Sequence, residues 1–189
     1  MFNLPEKIIV FDTEYTTWQG AQERNWSGEN EYREIVQVGA VKVETDNFKE
    51  LDSFSVFVKP KINPELSAFF TELTGITQEE VDKEGIDFKT AIEQFSRWSG
   101  DLSLYSWKGG DDDVLMENCR LLGITFPFEG SRFGTIGKVF QENGVSIENY
   151  MSSTIIEAFG KKTTHRGHNA LNDARTIVDG LKELSREGI

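Results

Sequence analysis

The sequence predicts a single α/β domain, and three observations support it. The chain has 189 residues, the length of one ordinary domain with a substantial core. Its first third holds three apolar runs of strand length and almost no helical period. The rest of the chain is mostly capped segments of helical period with one further strand among them, so strands and helices are mixed along its length.

Ile8 to Phe11 reads as a short strand buried on both faces, and Glu34 to Val43 as a second, longer β-run. Thr17 to Arg33, between them, is rich in Gln, Asn, Glu and Gly and has no period, which predicts a long polar loop. Leu51 to Val58 alternates Phe54, Val56 and Val58 with Ser53, Ser55 and Phe57 as a third strand, ended by Pro60 and Pro64. Ser67 to Thr74 has a serine N-cap, apolar Phe69, Phe70 and Leu73, and Gly75 as a stop. Thr77 and Glu80 have the spacing of a capping box and start another short helix.

A longer helix spans Phe88 to Ser99, with Ala91, Ile92, Phe95 and Trp98 on one face. Leu102 to Ser106 is a fourth strand. Asp111 to Leu122 carries Leu115, Cys119 and Leu122 at helical spacing and stops at Gly123. Two shorter helices are expected at Ile136 to Glu142 and Ser152 to Phe159. Asn169 caps a final helix striped by Leu171, Ala174, Ile177, Val178, Leu181 and Leu184.

Hydrophobic residues make up 38% of the chain and charged ones 28%, a globular rather than disordered composition. Cys119 is the single cysteine, so no intrachain disulfide forms and a reducing, cytoplasmic address is expected. The N-terminal residues do not follow the pattern of a secretory signal, and no apolar run is long enough to span a membrane. The net charge is −12: residues 1–125 hold 12 Lys and Arg against 24 Asp and Glu, while residues 126–189 hold 8 of each. A protein gripping long duplex nucleic acid would show the opposite sign over a broad face, so any nucleic-acid contact should be local and metal-assisted.

Asp12 and Glu14 follow the first apolar run two residues apart, so a strand projects both from one face. Two carboxylates held that close repel unless a cation lies between them, and Mg2+ or Mn2+ is the ordinary choice in a water-exposed cleft. Two further acids lie at element ends: Asp111 at a helix start after a strand, and Asp173 in the first turn of the last helix. His168 precedes that helix, giving a His-x4-Asp pair.

The pieces FDTEYTTW, SWKGGDDDVL and HNALNDA, in that order, resemble the DEDDh branch of the 3′-to-5′ exonuclease superfamily. The stretch FVKPKINPELSAFFTELTGITQEEV extends the likeness to the exoribonuclease branch that includes the histone-mRNA 3′ exonuclease and the enhancer-of-RNAi exonuclease. The resemblance runs from Ile8 to Leu184. It implies an RNase H-like fold with a mixed five-stranded sheet, and two-metal hydrolysis of terminal phosphodiesters that releases nucleoside 5′-monophosphates.

By that resemblance Asp12 would bridge both ions, Glu14 and Asp173 would hold the ion on the nucleophile side, and Asp111 would act on the other. His168 would be the general base. Asp112 is the alternative to Asp111 in a run of three acids. Tyr15, Phe69, Leu73 and Trp107 would surround the terminal nucleotide, a setting suited to a single-stranded RNA 3′ end. DNA is the rival substrate, because neither the acids nor His168 read the sugar, and a catalytically silent binding module is the rival of another class.

Two features depart from the family pattern: Tyr15, where many relatives have a small residue, and the long Thr17 to Arg33 loop beside the acids. Phe69 and Trp107 are equally at home in a core, Cys119 reads as packing, and His165 reads as a surface residue. Lys161, Lys162 and Arg166 are either a phosphate guide or ordinary solvated charge. Oligomeric state leaves no mark in the sequence.

Overall fold

The computed structural model describes residues 2–186. A five-stranded sheet is built from β1 (Lys7–Tyr15), β2 (Ile35–Glu44), β3 (Lys49–Phe57), β4 (Ser103–Ser106) and β5 (Phe133–Thr135), in the order β3-β2-β1-β4-β5. β1 pairs antiparallel with β2 and parallel with β4, β2 pairs antiparallel with β3, and β4 parallel with β5, so the sheet is mixed. The helices are α1 (Ala68–Thr74), α2 (Gln78–Glu84), α3 (Phe88–Ser99), α4 (Asp111–Leu121), α5 (Gly137–Glu142) and α6 (Ala170–Arg186).

Strand alternation divides the core into two layers. Ile8 and Val10 pack with Val41 and Val43 against Ile177, Leu181 and Leu184 of α6 and Phe140 of α5. Ile9 and Phe11 pack on the opposite face with Ile92 and Phe95 of α3 and Leu115 of α4. A smaller cluster of Val36, Phe70, Ile76 and Val81 seats α1 and α2.

The starts of α1, α2 and α3 are capped by side chains, at Ser67 and Thr77 as the sequence leads one to expect and at Asp87 in addition. Ser67 accepts from the Phe70 N–H, Asp87 from the Thr90 N–H, and Thr77 with Glu80 forms a reciprocal capping box. The Asn169 side chain accepts from the Asn172 N–H at 3.2 Å.

Several expectations require correction. β1 does not end at Phe11 but continues through Asp12 and Glu14 to Tyr15, because its ladder with β2 persists through Gly39, Val38 and Gln37. β5 is a strand of three residues that no periodicity marked. The expected helix from Ser152 to Phe159 is a turn followed by a 3-10 helix over Ile155–Phe159. α5 begins at Gly137, after Ile136.

The segment 17–33 is a turn-rich loop with its own anchors. Ala21 is fully buried, Tyr15 and Trp26 meet edge-on at 5.6 Å, and the Arg33 guanidinium lies 5.6 Å from the Trp26 ring. Asn118 of α4 ties the loop end down, donating to the Arg33 carbonyl at 2.7 Å and accepting from the Ile35 N–H at 3.0 Å. Among the described residues no helix is long and apolar enough to cross a membrane.

Candidate active site

Asp12 and Glu14 continue the series Ile8, Val10 along β1 and therefore face the α6 layer. Opposite Asp12 on β2 is Gly39, where a Cβ would stand 2.0 Å from the Leu171 backbone nitrogen, so only glycine lets the first turn of α6 approach this closely. Gln37, paired across from Glu14 and almost fully buried, accepts the Ala170 N–H at 2.9 Å. These two β2 residues dock the start of α6 beside the acids of β1, bringing Asp173 and His168 to Asp12 and Glu14.

Asp111 arrives from the other layer. Thr13 faces the α3 and α4 side of β1, and both its backbone N–H, at 3.1 Å, and its hydroxyl, at 2.7 Å, donate to Asp111 Oδ1. The first acid of the SWKGGDDD run is therefore the one at the site. Asp112 instead accepts from the Gly110 N–H at 3.3 Å, within its own turn.

Ligand atoms of Glu14, His168 and Asp173 all lie within 4.8 Å of one another. His168 has a positive φ of 57°, a left-handed conformation that strains a residue with a Cβ, and its N–H donates to Asp173 Oδ2 at 3.3 Å. The imidazole is thus carried on a constrained turn joined to the neighbouring carboxylate.

The electrostatics are those of carboxylates lacking countercharge. Burial, followed by repulsion from Asp111, Glu14 and Asp173, raises the Asp12 pKa well above the ordinary range, and burial with Asp173 and Asp111 does the same to Glu14. Burial lifts Asp111 to about 6, against the lowering pull of Thr13, and Asp173 to about 7. Burial lowers the pKa of His168, favouring neutral imidazole. Lys108 is the one permanent cation lining the cleft among the described residues.

The Asp173 Oδ1 atom is buried without a hydrogen-bond partner. An orphaned carboxylate oxygen among repelling acids fits a divalent cation, which takes hard oxygen ligands and removes the repulsion.

The cleft has a volume of about 450 Å³ and is lined by all nine residues that the resemblance assigns to the metals, the general base or the terminal nucleotide: Asp12, Glu14, Tyr15, Phe69, Leu73, Trp107, Asp111, His168 and Asp173. Phe69 and Leu73 present exposed apolar faces from α1. Trp107 is mainly a core residue, 4% exposed, edge-on to Phe140 and donating its indole N–H to the Tyr150 carbonyl at 3.1 Å. Tyr15 packs against Trp26 of the long loop, which adds Trp18, Gln22 and Glu23 to the cleft wall.

Thr13 and Ser152 escaped sequence reasoning. The Ser152 hydroxyl donates to Asp173 Oδ2 at 3.3 Å, and it also favours the ionised form of Asp12. Neither has a spacing signature that could have found it. Of the basic group, Lys161 and Lys162 line a separate cavity, and the Arg166 guanidinium packs over Gly75 at the end of α1.

An exonuclease family model, RNase T, matches residues 9–181. The chain belongs to the RNase T exonuclease family. The family resemblance read from the sequence and the RNase H-like architecture both stand.

Among relatives of this RNase T exonuclease, the probable 3′-5′ exonuclease KapD of Bacillus subtilis is 28% identical over 95% of this chain and 85% of its own length. Human ERI1 exoribonuclease 2 is 35% identical over 96% of this chain, but the match spans only 28% of that longer protein. In fold, the chain is similar to the nuclease domain of 3′hExo, a DEDDh family member bound to rAMP, with a TM-score of 0.81 at 22% identity over 100% of this chain and 96% of that one.

Proposed function

We propose that this exonuclease removes nucleoside 5′-monophosphates from the 3′ ends of single-stranded RNA, using two divalent ions, Mg2+ or Mn2+. The observation that carries the proposal is the convergence of Asp12, Glu14, Asp111, Asp173 and His168 in one cleft. The RNA preference is supported by relatives named exoribonucleases and by the rAMP on the structurally similar nuclease domain. A cytoplasmic setting, consistent with the lone Cys119, belongs to the same proposal.

When bound, the ions supply Lewis-acid charge and a water of lowered pKa. Asp12, Glu14 and Asp173 offer oxygen ligands from the α6 side of β1, and Asp111, fixed by Thr13, offers one from the other side. His168 accepts the proton of the attacking water at its imidazole and must be neutral to do so. Phe69 and Leu73 supply apolar faces on which the terminal base stacks without its sequence being read.

The test is incubation of end-labelled RNA and DNA oligonucleotides with Mn2+ or Mg2+. Stepwise shortening from the 3′ end is expected, with RNA decaying faster, nucleoside 5′-monophosphate as product, and activity lost in EDTA and in Asp12→Ala. Faster decay of DNA would overturn the RNA preference. No shortening of either polymer, or turnover surviving Asp12→Ala, would overturn the metal-dependent nuclease.

A further inference from the structure

A second cavity, of about 350 Å³, lies along α6 and is lined on its other side by the segment 161–165 that leads to His168. Its permanent charges are Lys161, Lys162, Lys182 and Arg186 against Asp179 and Glu183, a positive balance on a protein whose net charge is −12.

The two carboxylates are oversubscribed. Glu183 is shared by Lys161 and Arg186, and Asp179 accepts from Lys182 at 2.9 Å with His165 Nε2 at 3.4 Å. Lys162 has no carboxylate partner among the described residues. The Lys161 and Arg186 side chains are 50% and 69% exposed, so they can turn toward a ligand without breaking a packed core. Thr163 and Thr164 also line the cavity.

We propose that this cavity binds a phosphate group, either a phosphodiester of the substrate strand upstream of its 3′ end or a free phosphate. The first source rests on the exonuclease reading. α6 joins the two sites, with Asp173 in the cleft and Lys182 in the cavity separated by about 13 Å of helical rise. The cleft has Lys108 as its one permanent cation among the described residues, so an anionic strand leaving it gains countercharge by running toward the positive cavity.

Binding is read without turnover in metal-free protein, by recording backbone amide shifts during titration with a single-stranded RNA dodecamer and, separately, with inorganic phosphate. Saturable shifts over 161–165 and 182–186 are expected, weakened in Lys162→Gln and lost in Lys162→Glu. Response to RNA alone assigns the strand, and a saturable response to inorganic phosphate assigns a free anion. With metal present, Lys162→Glu should raise KM severalfold for the dodecamer and leave dinucleotide cleavage unchanged. It should also flatten the salt dependence by about 0.7 in logarithmic slope for each phosphate no longer neutralised. No saturable shift with either probe, or shifts unchanged in both variants, would overturn the phosphate site. Shifts in a protein that degrades nothing would instead retire the exonuclease reading and leave the cavity standing.

Discussion

Thr13 stands between two acids yet serves a third. Its side chain points away from Asp12 and Glu14, and its hydroxyl and backbone N–H hold Asp111 where it can act with them. Thr13→Val keeps the volume and the strand propensity but removes the hydroxyl donor. Asp111 then loses one of the bonds that oppose the effect of burial, so its pKa rises further and its ionised form becomes scarcer. Activity at limiting Mg2+ should fall about 10- to 100-fold and recover in part at higher Mg2+ or higher pH. A Mg2+ titration of the rate checks this, and an unchanged midpoint would remove Thr13 from the site. The acids and His168 are legible in the sequence because three motifs, each common by chance when alone, stand in one order along the chain. Thr13 and Ser152 are not, because a hydroxyl beside an acid is common and only its partner's position in space gives it meaning.

At the scale of elements, caps were the best-marked features. Ser67 and Thr77 each bond the backbone three residues on, so their signals are local and complete within the sequence, whereas Asp87, which does the same, adds a cap that the periodic reading of its helix leaves unmarked. The apolar run marks β1 only as far as Phe11, whereas its ladder to β2 continues under Asp12, Thr13 and Glu14, which are buried although polar. β5 was missed because its three residues pair through backbone with β4 and include Gly134, leaving no alternation to detect. The packing of Gly39 against α6 is equally silent in sequence, since a glycine within a strand looks like a simple weakness. Gly39→Ala tests it. The added methyl meets Leu171 and Ala170 backbone, which cannot swing aside as a flexible side chain would. Stability should fall by about 1–3 kcal/mol, and activity should fall further as Asp173 and His168 move off β1. Denaturant unfolding and turnover measured together decide the matter, and a variant that keeps both would show that α6 docks without the close approach.

For the whole molecule, the uncompensated carboxylates tie stability to pH and metal. The Asp111 and Asp173 pKa values in the metal-free fold, about 6 and about 7, lie above the ordinary aspartate value of 3.8 that stands for the unfolded chain. Between those limits the folded state holds more protons than the unfolded state, so the contribution of these groups to stability is full below about pH 4 and declines as pH rises toward about 7. The Tm of metal-free protein should therefore fall between about pH 4 and pH 7. Saturating Mg2+ should restore more at the higher pH, because metal binds the ionised ligands. Thermal melts with Mg2+ and with EDTA across that range measure the gap, and a gap that narrows with pH would contradict the electrostatics. The order of the site residues along the chain has a last consequence. Asp12 and Glu14 leave the ribosome before His168 and Asp173, which arrive only with the helix that Gly39 receives. Under the proposed function, a chain still being translated would therefore lack an assembled nuclease site until α6 has docked on β2.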